Sequence, residues 1–285
     1  MAPGIATACS TAGAEVRLAG RDPERVADAA RAASALAGVS VTPMPLAPDT
    51  FFGGELAVET VVEDVEVKIE LLQRIEGWLP QDAVLATNTS SFSIEVLARA
   101  LARPGRFAGF HFLNPAHLTA VVEVVPGPAT DQSTIDVLAD LARWMGKTPL
   151  VLRRDVPGFI WNRLQFALIR ECLHLLDEGV AHIASIDAAV SDGLAPRWLA
   201  GGPLATADLG GLDTFRRAAA RLFPELAGGG EVSPALARRA AQGGSFYRWS
   251  EESRRAIETI RAEALALGRE LAERRRASSP QGSES

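Results

Sequence analysis

The sequence predicts an α/β domain built on a mostly parallel sheet, followed by a domain made of helices alone. Through about residue 153, short apolar runs alternate with amphipathic segments, as expected for repeated strand and helix units. After Pro157-Gly158 the pattern changes, and apolar residues recur every four positions from Ile160 to Leu176. We therefore expect the α/β domain over residues 1–154 and the helical domain over residues 155–276.

Six strands are predicted in the first domain, and two of the intervening helices have clear start signals. Asp22 is a capping residue, and Pro23 follows it at the first helical position, where proline is favoured. Asp64 opens a helix that continues through Lys68 to Trp78. The predicted strands are Glu15–Ala19, Leu56–Glu59, Val84–Thr87, Phe107–His111, Val121–Val125 and Pro149–Leu152.

In the second domain, Gly228-Gly229-Gly230 predicts a flexible joint before a helix that starts near Ser233. The residues from Ala277 to Ser285 are too polar to pack against a core. We expect residues 277–285 to form a disordered tail.

Composition excludes several classes of function. The chain has 285 residues, of which 47% are hydrophobic, so two domains with real cores are expected. The net charge of -6 argues against nucleic acid as a partner. No apolar run is long enough to span a bilayer. The cysteines, Cys9 and Cys172, are too few for a disulfide framework, and no Cys/His cluster has metal-ligand spacing. We expect a cytoplasmic protein with no metal site and no membrane partner.

Chemistry-bearing residues occur in a definite order along the chain. A hydroxyl-rich segment, Asn88-Thr89-Ser90-Ser91, is followed by His111, Asn114-Pro115, Glu123 and the segment Pro157–Arg163. Together they supply a hydroxyl, an imidazole, a carboxylate and a carboxamide. This set fits the removal of a proton and a hydride from an alcohol.

With these segments in view, the chain resembles the 3-hydroxyacyl-CoA dehydrogenase family from residue 1 to about Trp249. The resemblance implies a Rossmann-like NAD-binding domain and a helical domain that forms a homodimer. Seven segments in order carry it: Val58-Glu59 with Glu63 and Lys68, Asn88–Ser91, His111–Pro115, Val122–Val124, Pro157–Arg163, Gly211–Thr214 and Phe246–Trp249.

The resemblance assigns catalytic roles to four residues. His111 is implied as the general base that takes the hydroxyl proton, because a neutral imidazole has a pKa near working pH. Glu123 would bond the other ring nitrogen and fix the tautomer. Ser90 and Asn162 would hold the substrate oxygen. From the residues alone, His111 could be a packed histidine, Glu123 a solvated edge residue, Ser90 a helix cap and Asn162 an ordinary early-helix amide.

The resemblance also places Glu63, Lys68, Ser90 and Asn114 on the nicotinamide-ribose side of a cofactor site. Lys68 is one of only two lysines in a chain that otherwise uses arginine. Read without the resemblance, Glu63 is an acid near a helix start and Lys68 a solvated cation.

The chain departs from the family at its beginning. A dinucleotide-binding domain needs a first strand and then G-x-G-x-x-G. Met1 to Ala6 matches only the end of that motif, with Ala2 where the third glycine would stand and Gly4 just after it. We expect the first strand to be missing from this chain. In that case a late start codon or an impaired cofactor site would be the explanation.

A second departure concerns the cofactor. Gly20, followed by Arg21, stands where an acidic residue normally binds the adenosine ribose. An arginine there can accommodate a 2′-phosphate, so NADP becomes an alternative to NAD, which stays the expected cofactor.

A third departure concerns the substrate. The stretch between Gly20 and Glu59 has room for one helix and a short strand, whereas fatty-acyl members of the family have a longer helical insertion there. The segment Pro196-Arg197-Trp198 also differs, and is similar to relatives that oxidise small polar hydroxy acids. Arg197 is a candidate for pairing with a substrate carboxylate, although the residue alone favours a solvated arginine.

Two functions are therefore predicted. The first is NAD(P)-dependent oxidation of a 3-hydroxy acid, or of its acyl thioester, to the 3-oxo product. The second is a non-catalytic dimeric remnant, or a binding protein, that has lost its affinity for the dinucleotide.

Overall fold

The computed structural model describes residues 1–230, 232–242, 246–247 and 250–278, and the chain divides into two units, residues 1–163 and 164–285. The first unit extends to Arg163 because Phe159 packs into its core and the amides of Ile160 and Trp161 bond to a carboxylate in its sheet. Arg248, Trp249 and residues 279–285 lie outside the described residues.

The elements of the first unit alternate between helix and strand, as the sequence predicts, except for two consecutive strands, Phe107–Phe112 and Val121–Pro126. In order they are α1 (Ala2–Thr11), β1 (Arg17–Gly20), α2 (Pro23–Ala37), β2 (Thr42–Pro45), α3 (Pro48–Phe51), β3 (Leu56–Glu59), α4 (Val65–Trp78), β4 (Val84–Thr87), α5 (Ile94–Ala98), β5 (Phe107–Phe112), β6 (Val121–Pro126), α6 (Gln132–Trp144) and β7 (Thr148–Val151).

The strands form two sheets. β1 pairs with β2 in parallel, and the larger sheet has the order β3-β4-β5-β6-β7. Within the larger sheet only the pair β5 and β6 is antiparallel. The predicted mostly parallel sheet is thereby confirmed. β1 and β3 share no ladder among the described strands.

The predicted helix starts are confirmed by their caps. Asp22 accepts hydrogen bonds from the amides of Glu24 and Arg25 at the start of α2. Asp64 accepts the equivalent bonds from Glu66 and Val67 at the start of α4. Each carboxylate satisfies amides that would otherwise lack a partner in the first helical turn.

The core lies on both faces of the larger sheet. All residues of β4 and β5 are buried. Ala108, Phe110 and Phe112 of β5 pack on the side of α1 and α6, whereas Phe107 packs on the side of α4 and α5. Since side chains alternate along a strand, His111 points to the same side as Phe107.

The second unit is helical, as predicted. Its elements are most of α7 (Trp161–Asp177), then α8 (Ile183–Ala188), α9 (Ala195–Gly210), α10 (Leu212–Leu222), α11 (Pro234–Ala241) and α12 (Glu251–Ser278). α9 contains a kink at Gly202, which has a φ of 75° and precedes Pro203. α12 continues through the first two residues of the predicted tail. No helix in the described part of the chain is both long and apolar enough to cross a membrane.

Candidate active site

The candidate site is centred on a paired histidine and glutamate in adjacent strands. His111 of β5 stands directly opposite Glu123 of β6 in the antiparallel ladder. Both side chains therefore project from the same face of the sheet. His111 Nδ1 lies 2.7 Å from Glu123 Oε2, and Glu123 is completely buried. The structure thus brings together the predicted base and the predicted carboxylate.

The second oxygen of Glu123 is held by the start of α7. Glu123 Oε1 accepts hydrogen bonds from the amides of Ile160 at 2.8 Å and Trp161 at 2.9 Å. The preceding turn directs these amides inward: Gly158 and Phe159 have φ values of 79° and 52°, and Phe159 is buried. A positive φ is uncommon for a bulky residue, and such strain is concentrated at functional sites.

The protonation of the pair follows from these contacts. Burial raises the pKa of Glu123, but the hydrogen bonds from His111, Trp161 and Ile160 outweigh it and hold the pKa below 4.5. Glu123 is therefore ionised at neutral pH and can only accept hydrogen bonds. The proton of a neutral His111 must then reside on Nδ1, which leaves Nε2 as the basic nitrogen. The edge of the Phe159 ring packs against the imidazole, with the centroids 5.5 Å apart.

The predicted substrate-holding residues also meet. Asn162 follows Trp161 directly, and its Nδ2 donates a hydrogen bond to the backbone carbonyl of Ser90 at 3.3 Å. Among the described residues, none bonds to the Ser90 hydroxyl. Asn88 Oδ1 accepts the amide of Phe112 at 2.8 Å, which ties the loop after β4 to the end of β5 beside His111. No role of its own was predicted for Asn88.

Glu63 organises the loop after β4. Its Oε1 accepts hydrogen bonds from the Thr89 hydroxyl at 2.5 Å, from the amides of Ser90 and Ser91 at 3.0 Å, and from the Ser91 hydroxyl at 2.8 Å. Burial raises the pKa of Glu63, but the bonds from Thr89, Ser91 and Ser90 and the charge of Lys68 together lower it to about 2. Glu63 is thus a fixed anion that sets the position of Ser90.

Lys68 is not the solvated cation that the residue alone suggests. It is 1% exposed, and Nζ lies 3.0 Å from Glu59 Oε1, 3.2 Å from Glu63 Oε2 and 3.4 Å from the carbonyl of Val61. Glu59 is also buried and accepts a hydrogen bond from Thr87 at 2.7 Å. Glu59 belongs to a segment that resembles the family, but no role was predicted for it. Its position at the end of a strand did not indicate that it pairs with Lys68.

The loop after β5 is held by the second lysine. Lys147 is buried, and Nζ donates hydrogen bonds to the carbonyls of Ala116 at 2.7 Å and Thr119 at 2.6 Å. The loop begins at Asn114, which precedes a cis proline. No role was predicted for Lys147. The rarity of lysine in this arginine-rich chain could have identified it as a structural residue.

Ala2 and Gly4 lie in the first turn of α1, which has Pro3 near its N-terminus. A Cβ atom at Gly4 would lie 3.3 Å from Ala116 Cβ, so the absence of a side chain allows α1 to pack tightly on the loop after β5. Packing accounts for Gly4, and the cofactor contacts predicted for Ala2 and Gly4 stay predictions.

Gly20 and Arg21 line a cavity of about 110 Å³ at the carboxyl end of β1. Ligands of doubly wound sheets bind at this edge. The cavity lining is mostly apolar, with three exposed charged residues at its rim, and the cofactor contacts predicted for Gly20 and Arg21 stay predictions. Its lining residues are Ala19, Gly20, Arg21, Leu46, Val61, Val67, Glu70, Leu71 and Arg74.

Arg197 belongs to the second unit, where it is exposed on α9. Its predicted contact with a substrate carboxylate stays a prediction. No cluster of three or more metal-ligating side chains is present in the part of the chain that the structure describes.

The Glu63 contacts generate a prediction on stability. The pKa of Glu63 is about 2 in the folded chain, below its ordinary value of 4.5. Glu63 therefore stabilises the fold above about pH 4.5, and this contribution is lost as the pH falls toward 2. We expect Glu63→Gln to lower the urea midpoint at pH 7 and to make its decline between pH 7 and pH 3 shallower. Glu55→Gln, at an exposed position without a side-chain bond in the described residues, should keep the original slope. Equal slopes for Glu63→Gln and the unaltered chain would contradict the assignment.

Comparisons with known proteins agree with this geometry. Residues 43–156 match the family model of the 3-hydroxyacyl-CoA dehydrogenase NAD binding domain, and residues 158–253 match that of the C-terminal domain. One relative is the 5-formyl-3-hydroxy-2-methylpyridine 4-carboxylate 5-dehydrogenase of Mesorhizobium japonicum. It is 31% identical, and the match covers 80% of this chain and 76% of the relative. The mitochondrial hydroxyacyl-coenzyme A dehydrogenase of Sus scrofa is 41% identical over 57% of this chain, but the match spans only 50% of that protein.

A solved structure is similar over nearly the whole chain. It is a crystal structure of the NAD+-dependent dismutase FHMPC 5-dehydrogenase, with a TM-score of 0.88 and 27% identity over 99% of this chain and 96% of that one. The predicted family, enzyme class and cofactor are thereby confirmed. The chain belongs to the 3-hydroxyacyl-CoA dehydrogenase family, and it carries that family's NAD-binding domain followed by its C-terminal domain.

Proposed function

We propose that this chain oxidises a hydroxyl-bearing carboxylic acid, free or as a thioester, to the corresponding carbonyl compound with NAD as the hydride acceptor. The observation that carries the proposal is the His111–Glu123 pair, in which a buried carboxylate holds Nδ1 and two backbone amides hold the carboxylate. Such a pair is built to accept a proton at Nε2.

The proposed roles combine this geometry with the roles that the family resemblance implies. His111 Nε2 takes the hydroxyl proton while hydride leaves the same carbon, so the C–O single bond becomes a carbonyl. Glu123 stays ionised and stabilises the imidazolium as it forms. The Ser90 hydroxyl and the Asn162 amide hold the substrate oxygen. NAD, when bound, supplies the acceptor for the hydride, with Glu63, Lys68, Ser90 and Asn114 on the nicotinamide side of its site.

A small substrate without coenzyme A is favoured. Between β1 and β3 the chain has one long helix, α2, a short strand, β2, and the four-residue α3. This leaves no room for the longer helical insertion expected of fatty-acyl members. The Mesorhizobium relative is named for a pyridine carboxylate, not for a thioester. Arg197 remains the candidate for contacting a substrate carboxylate.

A second candidate is the oxidation of an aldehyde to a carboxylic acid. The Mesorhizobium relative and the similar crystal structure are both named 5-dehydrogenases. The name of the Mesorhizobium relative contains a 5-formyl group, which is an aldehyde, and this favours the second candidate. Addition of water to an aldehyde gives a diol whose carbon bears both hydrogen and hydroxyl. His111 could then take the hydroxyl proton in the same way, with the hydride leaving to NAD.

The remnant hypothesis is the rival from another class. It predicts a folded dimer without affinity for NADH. The tight packing of His111, Glu123 and the start of α7 supports the enzyme, because a remnant has no need for an ionised carboxylate buried beside an imidazole.

The general base can be tested directly. We expect His111→Asn to lower kcat/KM by about 10²–10⁴-fold while the Kd for NADH is unchanged, because only proton transfer is lost. His182→Asn is the matched control, since His182 precedes α8 and its side chain makes no cap bond. The assay panel should contain 3-hydroxybutyryl-CoA, free 3-hydroxybutyrate and an aromatic aldehyde carboxylate.

For the unaltered chain, the oxidation rate should rise with pH, because oxidation releases a proton and needs the unprotonated base. A rate that does not rise with pH, or full activity in His111→Asn, would contradict the proposed base. Failure of the unaltered chain to bind NADH would favour the remnant.

We also propose a homodimer formed through α7. No residue of α7 is buried in the single chain, and Leu164 and Phe166 are 63% and 62% exposed. Apolar faces of this kind mark association surfaces. Leu164→Glu should convert a dimer to a monomer in light scattering, whereas Val137→Glu on α6 should not. A monomeric unaltered chain would contradict the dimer.

The cytoplasmic location stays a prediction, supported by Cys9 and Cys172, which are both free.

A further inference from the structure

We infer that the pocket at the end of β1 accepts the 2′-phosphate of NADP(H), so that this chain binds NADP(H) at least as tightly as NAD(H). The inference rests on the proposed function and specifies which form of the cofactor the same site takes. It is carried by the residue at the end of β1, by the surroundings of that residue, and by the charges on the rim of the pocket.

The end of β1 lacks the carboxylate that selects NAD. In a dinucleotide site an acidic side chain at this point bonds the 2′-hydroxyl of the adenosine ribose and repels a 2′-phosphate. Here the residue is Gly20, and a Cβ atom at Gly20 would lie 2.8 Å from Val26 Cγ2 of α2. A side chain at this position would therefore require Val26 to shift. The packing of Val26 thus disfavours an acidic side chain at the end of β1.

The nearest carboxylate in sequence has another role. Asp22 caps α2, and its Oδ1 accepts the amides of Glu24 and Arg25 at 3.1 and 3.2 Å. Asp22 does not line the pocket. It therefore serves the helix and does not replace the missing ribose ligand.

The rim of the pocket carries more positive than negative charge. Arg21 from the end of β1 and Arg74 from α4 both line it, and the one carboxylate in the lining is Glu70. Glu70 Oε1 lies 3.9 Å from Arg74 Nη1, so part of its charge is already balanced. The Arg74 guanidinium stacks on Trp78 at 5.1 Å from the ring centroid.

The two guanidinium groups suit a phosphate better than a hydroxyl. Arginine donates paired hydrogen bonds to phosphate oxygens, and charge-assisted bonds of this type are about twice as strong as neutral ones. The apolar residues Leu46, Val61, Val67 and Leu71 line the rest of the pocket and fit the adenine ring.

The test is a comparison of binding constants with the full 285-residue chain. Calorimetric titration with NADPH and NADH should give a Kd for NADPH equal to or lower than that for NADH. Arg21→Gln should raise the Kd for NADPH about tenfold and leave that for NADH within about twofold, since one charge-assisted contact is worth about 1.4 kcal/mol or more. Arg74→Gln should likewise raise the Kd for NADPH more than the Kd for NADH. Arg143→Gln, an exposed arginine of α6 outside the pocket, should change neither constant.

Adenosine 2′,5′-bisphosphate and AMP isolate the contribution of the 2′-phosphate from the rest of the dinucleotide. The bisphosphate should bind more tightly, and its advantage should shrink as salt rises from about 50 to 500 mM, because salt screens an exposed ion pair.

The outcomes separate this inference from the proposed function. If NADH binds and NADPH binds more weakly than NADH, the inference is overturned and the dehydrogenase proposal stands. If neither binds, both are overturned. If Arg21→Gln and Arg74→Gln weaken NADH and NADPH equally, the guanidinium groups do not read the 2′-phosphate and the inference fails.

Discussion

The buried carboxylate of Glu123 is the interaction on which the site depends. One oxygen holds the His111 ring in β5, and the other holds the first amides of α7. A carboxylate with no exposed surface is costly unless each oxygen has donors, and breaking such a pair typically costs about 3–5 kcal/mol. Glu123 therefore fixes two strands and a helix start in one arrangement. The orientation of His111 and the position of Asn162 both follow from it.

A second network, centred on the buried Lys68, supports the loop that carries Ser90. Lys68 lies between Glu59 at the end of β3 and Glu63 in the following loop, and Glu63 in turn binds the loop after β4. Lys147 holds the loop after β5. Both lysines of this chain thus anchor loops at the carboxyl edge of the sheet, where doubly wound folds bind their ligands.

Much of this arrangement could be predicted from residues close in sequence. The caps at Asp22 and Asp64 depend on the next three residues only, so local sequence was sufficient. The pairing of His111 with Glu123 was predictable from the family resemblance and is consistent with the alternation of side chains in neighbouring strands. The contacts of Glu59, Asn88 and Lys147 could not be predicted, because each joins residues 9 to 31 positions apart through the packing of loops. Gly4 was assigned to the cofactor on its motif, whereas its packing against Ala116 depends on a loop more than a hundred residues away.

The central claim is that Glu123 sets the tautomer of His111, and nitrogen NMR of the imidazole measures this directly. The His111→Asn variant assigns the signal among the four histidines. At pH 8 the account predicts that His111 carries its proton on Nδ1 and that Nε2 is unprotonated. It also predicts that Glu123→Gln abolishes this preference. A proton on Nε2 in the unaltered chain would contradict the account, because the proposed base would then have no lone pair to offer the substrate.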